Sequence, residues 1–372
     1  MCPGAPTEAV DYADDAEYGE VRNEEDFDRE ALLRFLGGRL AGADAPMEVK
    51  QFRGGHSNLT YLLRFGETEW VMRRPPLGPL PPTAHDMGRE YRILSRLWQA
   101  FRYAPRAILY CEDRSIIGAP FFVMERMKGL VIKNRRPLPA ELHDNAEACA
   151  RVGEGLVDTL AALHGVDYAA LELAGLGRPE GFLERQIRGW MERWERAKTR
   201  ELALMNRLGA WFIDHMPPPQ PPALLHNDFF LHNLIVEPGA SGRPVGVLDW
   251  EMATLGDPMV DLGIMLGYWR DPGDNPELIA LSEGHCHTIM PGFPRRQQLA
   301  ERYAEHTGRD LSHVEYYRAW AHWKTATVVE QIYARYRRGQ THDERFAALG
   351  CHAPVLAREA AAILAPLGFD PS

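Results

Sequence analysis

Residues 223–250 constrain the fold more than any other stretch, because they place extended structure inside a mainly helical half of the chain. Ala223-Leu224-Leu225 reads as a short apolar strand, and the polar run His226-Asn227-Asp228-Phe229-Phe230-Leu231-His232-Asn233 follows it as an ordered loop. Residues 233–237 and 245–250 then form a hairpin around the turn Pro238-Gly239. That hairpin brings Asn233 and Asp249 together in space, although they lie far apart in sequence. Asp228 precedes Asn233 by five residues, so two carboxylates and an amide converge on one spot.

The rest of the chain supplies the frame. Phe27, Leu32, Phe35, Leu36 and Leu40 recur at helical spacing. Residues 49–53, 59–65 and 70–73 read as strands, with Gly54-Gly55-His56-Ser57-Asn58 and Gly66-Glu67 as turns. Prolines between 75 and 82 make an extended linker, since they fit neither a helix interior nor a central strand. A helix over 87–98 and strand-like runs at 107–111 and 120–126 complete this part. The order predicts a five-stranded antiparallel sheet with one helix. From about residue 139 the pattern is helical, for instance over 142–164, 182–198 and 316–338. The expected fold is α+β and bilobal. Residues 1–25 form an acidic leader expected to be disordered, 26–125 a nucleotide-binding lobe, and 126–372 a helical catalytic and acceptor-binding lobe.

The formal charge of −10 is concentrated at one end. The first thirty residues hold eleven carboxylates against two arginines, which leaves the remainder close to neutral. No basic patch suggests nucleic-acid binding. The start is acidic rather than charged-then-apolar, so no signal peptide is read there. The apolar run 262–269 is far shorter than a spanning helix, and no membrane partner is expected. The five cysteines include no CxxC pair, which fits a reducing cytoplasm better than a disulfide framework or a zinc knuckle. Nothing sets an oligomeric state.

Phosphoryl transfer to a hydroxyl needs a carboxylate to orient the hydroxyl and take its proton, and oxygen ligands to hold Mg²⁺ on the phosphates. Asp228 can supply the first, Asn233 and Asp249 the second. Taken singly, each could be a turn residue or a strand-end cap. Their order and spacing favour the kinase reading.

On HNDFFLHN, VGVLDWEMATLGDPMVDL, GGHSNLTYLLR, REYRIL and IGAPFFVMERMKG, the chain resembles the aminoglycoside phosphotransferase and choline kinase superfamily. It looks most like the kinase domains found alone or fused to acyl-CoA dehydrogenases. The resemblance implies a protein-kinase-like fold, ATP with Mg²⁺, Asp228 as catalytic base, and Asn233 and Asp249 as metal ligands. Relatives usually carry Gly at position 227, Arg at 230 and Asp at 232. Here Asn227, Phe230 and His232 stand there, and they flank the place of the acceptor.

The phosphates also need a cation from the sheet, usually lysine, yet no lysine lies between Lys50 and Lys128. Alternation puts Val71 and Arg73 on one strand face, so Val71 would cover the adenine, Arg73 would reach the phosphates, and Glu90 would pair with Arg73. Arg74 points the other way. Ser57 and the Gly-Gly loop would lie over the phosphates. Backbone groups near Glu125 and Met127 would bind the adenine edge. Asp257 reads as a helix cap, Asp261 as a brace for the loop or a solvent-facing carboxylate, and His164 as a cap or core residue.

For the acceptor, helix 180–201 mixes acidic and basic residues and carries Trp190 and Trp194. That suits an anionic or neutral, partly apolar hydroxylated molecule better than a polycation, and the resemblance suggests a hydroxyacyl-CoA or hydroxy acid. The other reading of the same residues is an amphipathic helix whose tryptophans pack and whose charges face solvent. An aminoglycoside or macrolide phosphotransferase, and a nucleotide-binding protein without catalysis, are the alternatives.

Overall fold

The computed structural model describes residues 17–53, 58–77, 86–134, 136–239, 241–282, 285–341 and 343–371. The first part contains β1 (Tyr18–Gly19), α1 (Arg29–Leu36), β2 (Met47–Phe52), β3 (Leu59–Phe65) and β4 (Thr68–Arg74). It continues through α2 (Met87–Leu97), β5 (Ala107–Cys111), α3 (Arg114–Ile117) and β6 (Phe121–Glu125). These strands form one antiparallel sheet in the order β1-β2-β3-β4-β6-β5.

The sheet has six strands where the sequence predicts five. The sixth, β1, comes from the stretch read as an acidic leader, and it sets Tyr18 opposite Phe52 and Gly19 opposite Gln51. Two residues are too few to show a period of two. Ion pairs pin the segment instead, from Glu20 to Lys50 and from Glu17 to Arg126.

Alternation sorts the sheet's side chains into two cores. Tyr61, Leu63, Phe65, Met72, Phe121 and Val123 pack with Leu32 and Leu36 of α1. Val71, Phe122 and Met124 face the other side, with Ile93, Leu94 and Leu97 of α2, and join the core of the helical part.

That part begins with β7 (Leu130–Val131), α4 (Ala140–His143), α5 (Ala146–His164), α6 (Phe182–Ala197) and α7 (Ala203–Asp214). The extended insert follows as β8 (Ala223–Leu225), β9 (Leu234–Val236), β10 (Pro244–Val247) and β11 (Thr254–Gly256). Antiparallel pairs join β9 to β10 and β8 to β11. The chain ends with α8 (Met259–Tyr268), α9 (Pro276–Ala280), α10 (Arg296–Thr307), α11 (Val314–Arg337) and α12 (His352–Leu364).

Every residue of α8 from Met259 to Gly267 is buried, as expected of a helix apolar on all sides. Two glycines let α11 lie close against it. A Cβ at Gly263 would sit 2.6 Å from the Tyr317 backbone, and one at Gly267 would sit 3.1 Å from Ala321 Cβ. Gly263→Ala therefore lowers stability. Overpacking costs about 1–3 kcal/mol, more than the roughly 1 kcal/mol of helix propensity that alanine adds. Melting scans should show a fall of a few degrees for Gly263→Ala and none for Gly175→Ala, whose Cβ meets nothing within 4 Å. Equal midpoints would contradict the tight approach.

Among the described residues one helical stretch, Glu344–Leu367, is long and apolar enough to cross a membrane by length and composition. Half of its most apolar window is buried. Leu356, Ala357, Ala360 and Leu364 lie in the main core, and α12 packs on α11, as a core helix does.

Candidate functional site

The loop after β8 is held from beneath by Asp261 of α8, which is fully buried. Its carboxylate accepts the His226 N–H at 2.6 Å and the Asn227 N–H at 2.7 Å. His164 Nε2 lies 3.4 Å from the same carboxylate, and its Nδ1 lies 2.7 Å from the Tyr303 hydroxyl. Of the two readings of Asp261, bracing is the one the geometry realises. His164 sits in the core, away from the cleft, and burial pulls its pKa down against the pull of Asp261.

His226 locks the loop to the hairpin. Its Nε2 meets the Leu248 carbonyl at 2.9 Å, and its Nδ1 accepts the Asp228 N–H at 3.3 Å. A carbonyl can only accept and an amide N–H can only donate, so His226 is the neutral Nε2–H tautomer. Burial lowers its pKa, in keeping with that state.

Asn227 and Asp249 both adopt positive φ, 65° and 68°, which few non-glycine residues do. Asn227 is held by its N–H on Asp261, by its Nδ2 on the Met252 carbonyl at 2.9 Å, and by its carbonyl, which accepts from Lys324 Nζ at 3.0 Å. Such over-determination is how a strained backbone survives, and strain of this kind gathers at functional sites.

Asp228 stands half-buried between these anchors. Burial pushes its carboxyl up to about 7, Lys324 opposes the shift, and the nearby negative charge of Asp249 adds to it. Asn233 Nδ2 donates to the Asp228 backbone carbonyl at 2.8 Å and lies 3.4 Å from its Oδ2. The Asn233 carbonyl in turn accepts the Leu248 N–H at 2.8 Å, which carries Asp249 to the same place. 

Across the cleft, Arg73 Nη1 meets Glu90 Oε1 at 2.6 Å and Nη2 meets Asp249 Oδ1 at 3.2 Å. Arg73 thus bridges the sheet, α2 and the hairpin. Arg74 turns to the opposite face, where it bonds the Tyr61 hydroxyl and the carbonyls of Ile117 and Glu25. Val71 is buried on the face that Arg73 shares. Glu125 ends β6 with an exposed side chain, and its N–H is committed to the Arg106 carbonyl at 2.9 Å. Met127 follows in the crossing between the two parts. Ser57 lies outside the described residues. Just after it, Asn58 is buried and its Nδ2 donates to Glu251 Oε2 at 2.9 Å, tying the end of that loop beside Asp249.

Sequence reasoning passed over Lys324. The signal was a lone lysine on the stripe Tyr317, Trp320, Ala321, Lys324 of α11, which a single helix read alone assigns to solvent. In the structure Lys324 lies over the rings of Trp190 and Trp320, at 5.7 and 5.9 Å. Burial lowers its pKa while Asp228 and Asp261 raise it. The tryptophans of α6 need correcting too. Trp190 and Trp194 are buried in the main core, and the charges of that helix largely pair with one another, as in Arg188–Glu184 and Lys198–Glu195. On the loop side, Phe230 stacks on Tyr268 at 4.4 Å, with His232 edge-on to Phe230 at 5.6 Å.

A sequence model described as the phosphotransferase enzyme family matches residues 48–299. Acyl-CoA dehydrogenase family member 11 of Gallus gallus is 31% identical over 334 residues, which is 87% of this chain and 42% of that protein. The chain therefore spans less than half of that relative's length. A solved Ralstonia eutropha structure, provisionally assigned as an aminoglycoside phosphotransferase, is 27% identical with a TM-score of 0.76, covering 92% of this chain and 99% of that one. An aminoglycoside phosphotransferase solved with AMP-PNP and hygromycin B has a TM-score of 0.53 at 15% identity, covering 89% of this chain and 99% of that one, a likeness of fold.

Proposed function

Because the chain belongs to the phosphotransferase enzyme family, we propose that it moves the γ-phosphoryl group of ATP to a hydroxyl of a small molecule, with Asp228 as base and Arg73 on the phosphates. The family makes it a small-molecule kinase. The observation that carries the assignment of roles is the meeting of Asp228, Asn233 and Asp249 with the Arg73–Glu90 pair in one cleft.

In the proposed step the acceptor hydroxyl oxygen bonds to the γ-phosphorus as the bond from that phosphorus to the bridging oxygen breaks. ADP leaves, and the hydroxyl proton passes to the Asp228 carboxylate. Arg73 sets a fixed positive charge against the phosphates, and Glu90 keeps it in place. Val71 covers the adenine, whose edge meets the Glu125 carbonyl or the Met127 amide, since the Glu125 N–H is taken. Ser57 would cap the phosphates.

The donor set fits Mg²⁺. Asn233 spends its Nδ2 on the Asp228 carbonyl, which leaves the amide oxygen as its free acceptor. Asp249 adds a carboxylate, and such ions are usually held by one or two protein oxygens with the substrate phosphates completing the shell. When bound, the ion neutralises phosphate charge.

For the acceptor, the favoured class is a hydroxyacyl-CoA or related hydroxy acid. Support comes from the acyl-CoA dehydrogenase relatives and from Lys324, a cation beside Asp228 where a polycationic antibiotic would want carboxylates. The antibiotic reading draws on the solved relatives that bind such molecules. ADP release should be measured with hydroxyacyl-CoAs, free hydroxy acids, aminoglycosides and macrolides. Stimulation by the first two classes is the expected result. Stimulation by antibiotics alone would reverse the choice, and no ADP release above the Asp228→Asn variant would leave a nucleotide binder without catalysis.

A further inference from the structure

The hydrogen bond between Lys324 and the Asn227 carbonyl joins a distant helix to the loop and belongs neither to the loop motif nor to the metal ligands. The Gly263 and Gly267 contacts dock α11 on α8 at Tyr317 and Ala321. Lys324 follows one turn later on that face, so the same close approach that zips the helices delivers its ammonium to the loop. Its ammonium lies 5.7 Å from the centroid of the Trp190 ring and 5.9 Å from that of Trp320, and both ring faces favour the cation where it meets the loop. The atom it reaches is the carbonyl of the peptide that joins Asn227 to Asp228.

That peptide needs holding. Asn227 carries a left-handed backbone at φ 65°, which glycine adopts freely and asparagine at a cost. Asp261 fixes its N–H side and Met252 its side chain, and Lys324 fixes the carbonyl side, the side that continues into Asp228. The other end of the same peptide, the Asp228 N–H, rests on His226 Nδ1 at 3.3 Å, so without Lys324 the peptide is held at that end alone and its tilt, which aims the Asp228 carboxylate, is less fixed.

We propose that Lys324 is a positioning residue for phosphoryl transfer, which clamps the Asn227 carbonyl so that Asp228 keeps its reach. The inference rests on the phosphotransferase reading above. A misplacement of the order of 1 Å at such a group is enough to cost about a hundredfold in rate.

The test uses the full chain with Mg-ATP and water as the acceptor, reading single-turnover release of labelled phosphate beside ATP affinity and melting temperature. The parent against Asp228→Asn comes first: equal rates would sink the phosphotransferase reading, and this inference with it. With the parent faster, Lys324→Met should slow release roughly ten- to a hundredfold and leave ATP affinity within about twofold. Methionine keeps an unbranched stem of similar length beside the tryptophans, so melting should change little. Lys324→Arg, which can still donate to the carbonyl, should stay within about fivefold of the parent. Asn227→Gly should restore part of the rate in the Lys324→Met background, because glycine holds the left-handed conformation without help. A Lys324→Met rate equal to the parent's overturns the proposal. So does an arginine variant as slow as the methionine one. A slow Lys324→Met variant that glycine does not rescue overturns it too, since Lys324 would then act on the reactants themselves.

Discussion

Asp228→Asn should lower phosphoryl transfer by about 10²–10⁴-fold, the range that loss of a positioned general base brings, while Mg-ATP binding should stay within a few-fold of the parent. The substitution keeps shape and removes the proton acceptor. Because the Asp228 N–H on His226 and the Asp228 carbonyl under Asn233 are backbone contacts, the loop keeps its fold in the variant. The pH profile sharpens the test. Burial raises the carboxyl to about 7, and protonation removes the acceptor lone pair. Turnover should therefore fall as pH drops through about 7 and level off above it, and a bound cation beside the carboxylate shifts that limb lower. Asp228→Asn should lose the limb. Turnover equal to the parent's would remove Asp228 as the base.

Asp249→Ala separates the metal from the nucleotide. With Mg²⁺ present, ATP affinity should fall by at least about a hundredfold, beyond the 10–100-fold that loss of an outer-sphere partner brings. In EDTA the sign is different. Asp249 presents a negative charge to the phosphates, so its removal should leave metal-free affinity unchanged or improve it. Arg73 keeps Glu90 at 2.6 Å in the variant, so it does not lose its place. Calorimetric titrations with and without Mg²⁺ read both arms. A variant that retains the magnesium-dependent gain in affinity would strike Asp249 from the ligand set.

What could be read in advance follows the distance over which each signal acts. Asp228, Asn233 and Asp249 lie on one short strand-loop-hairpin, so spacing and turn chemistry alone bring them together. Arg73 and Glu90 follow from a period of two in β4 and the start of the next helix, and the structure pairs them at 2.6 Å. Lys324 belongs to a helix nearly a hundred residues from the loop, and its face is decided by where Gly263 and Gly267 let α11 dock. No periodicity within α11 carries that information. Trp190 and Trp194 failed for the converse reason: an amphipathic pattern finds the apolar stripe but not whether a ligand or the core covers it. β1 escaped because its pairing comes from its neighbours' charges and not from its own residues.

That two-residue strand also matters for anyone trimming the chain. Without it the end of β2 at Gln51 and Phe52 would also lie bare at the sheet's margin, and an uncovered margin offers unpaired amides and carbonyls to the next molecule. A version starting at residue 26 gives up the cover over Gln51 and Phe52, and with it the Glu25 carbonyl that Arg74 and the Tyr61 hydroxyl both use. Shortening the acidic end to improve handling would then work against itself, trading a charged, self-repelling terminus for a surface that invites stacking of one copy on another.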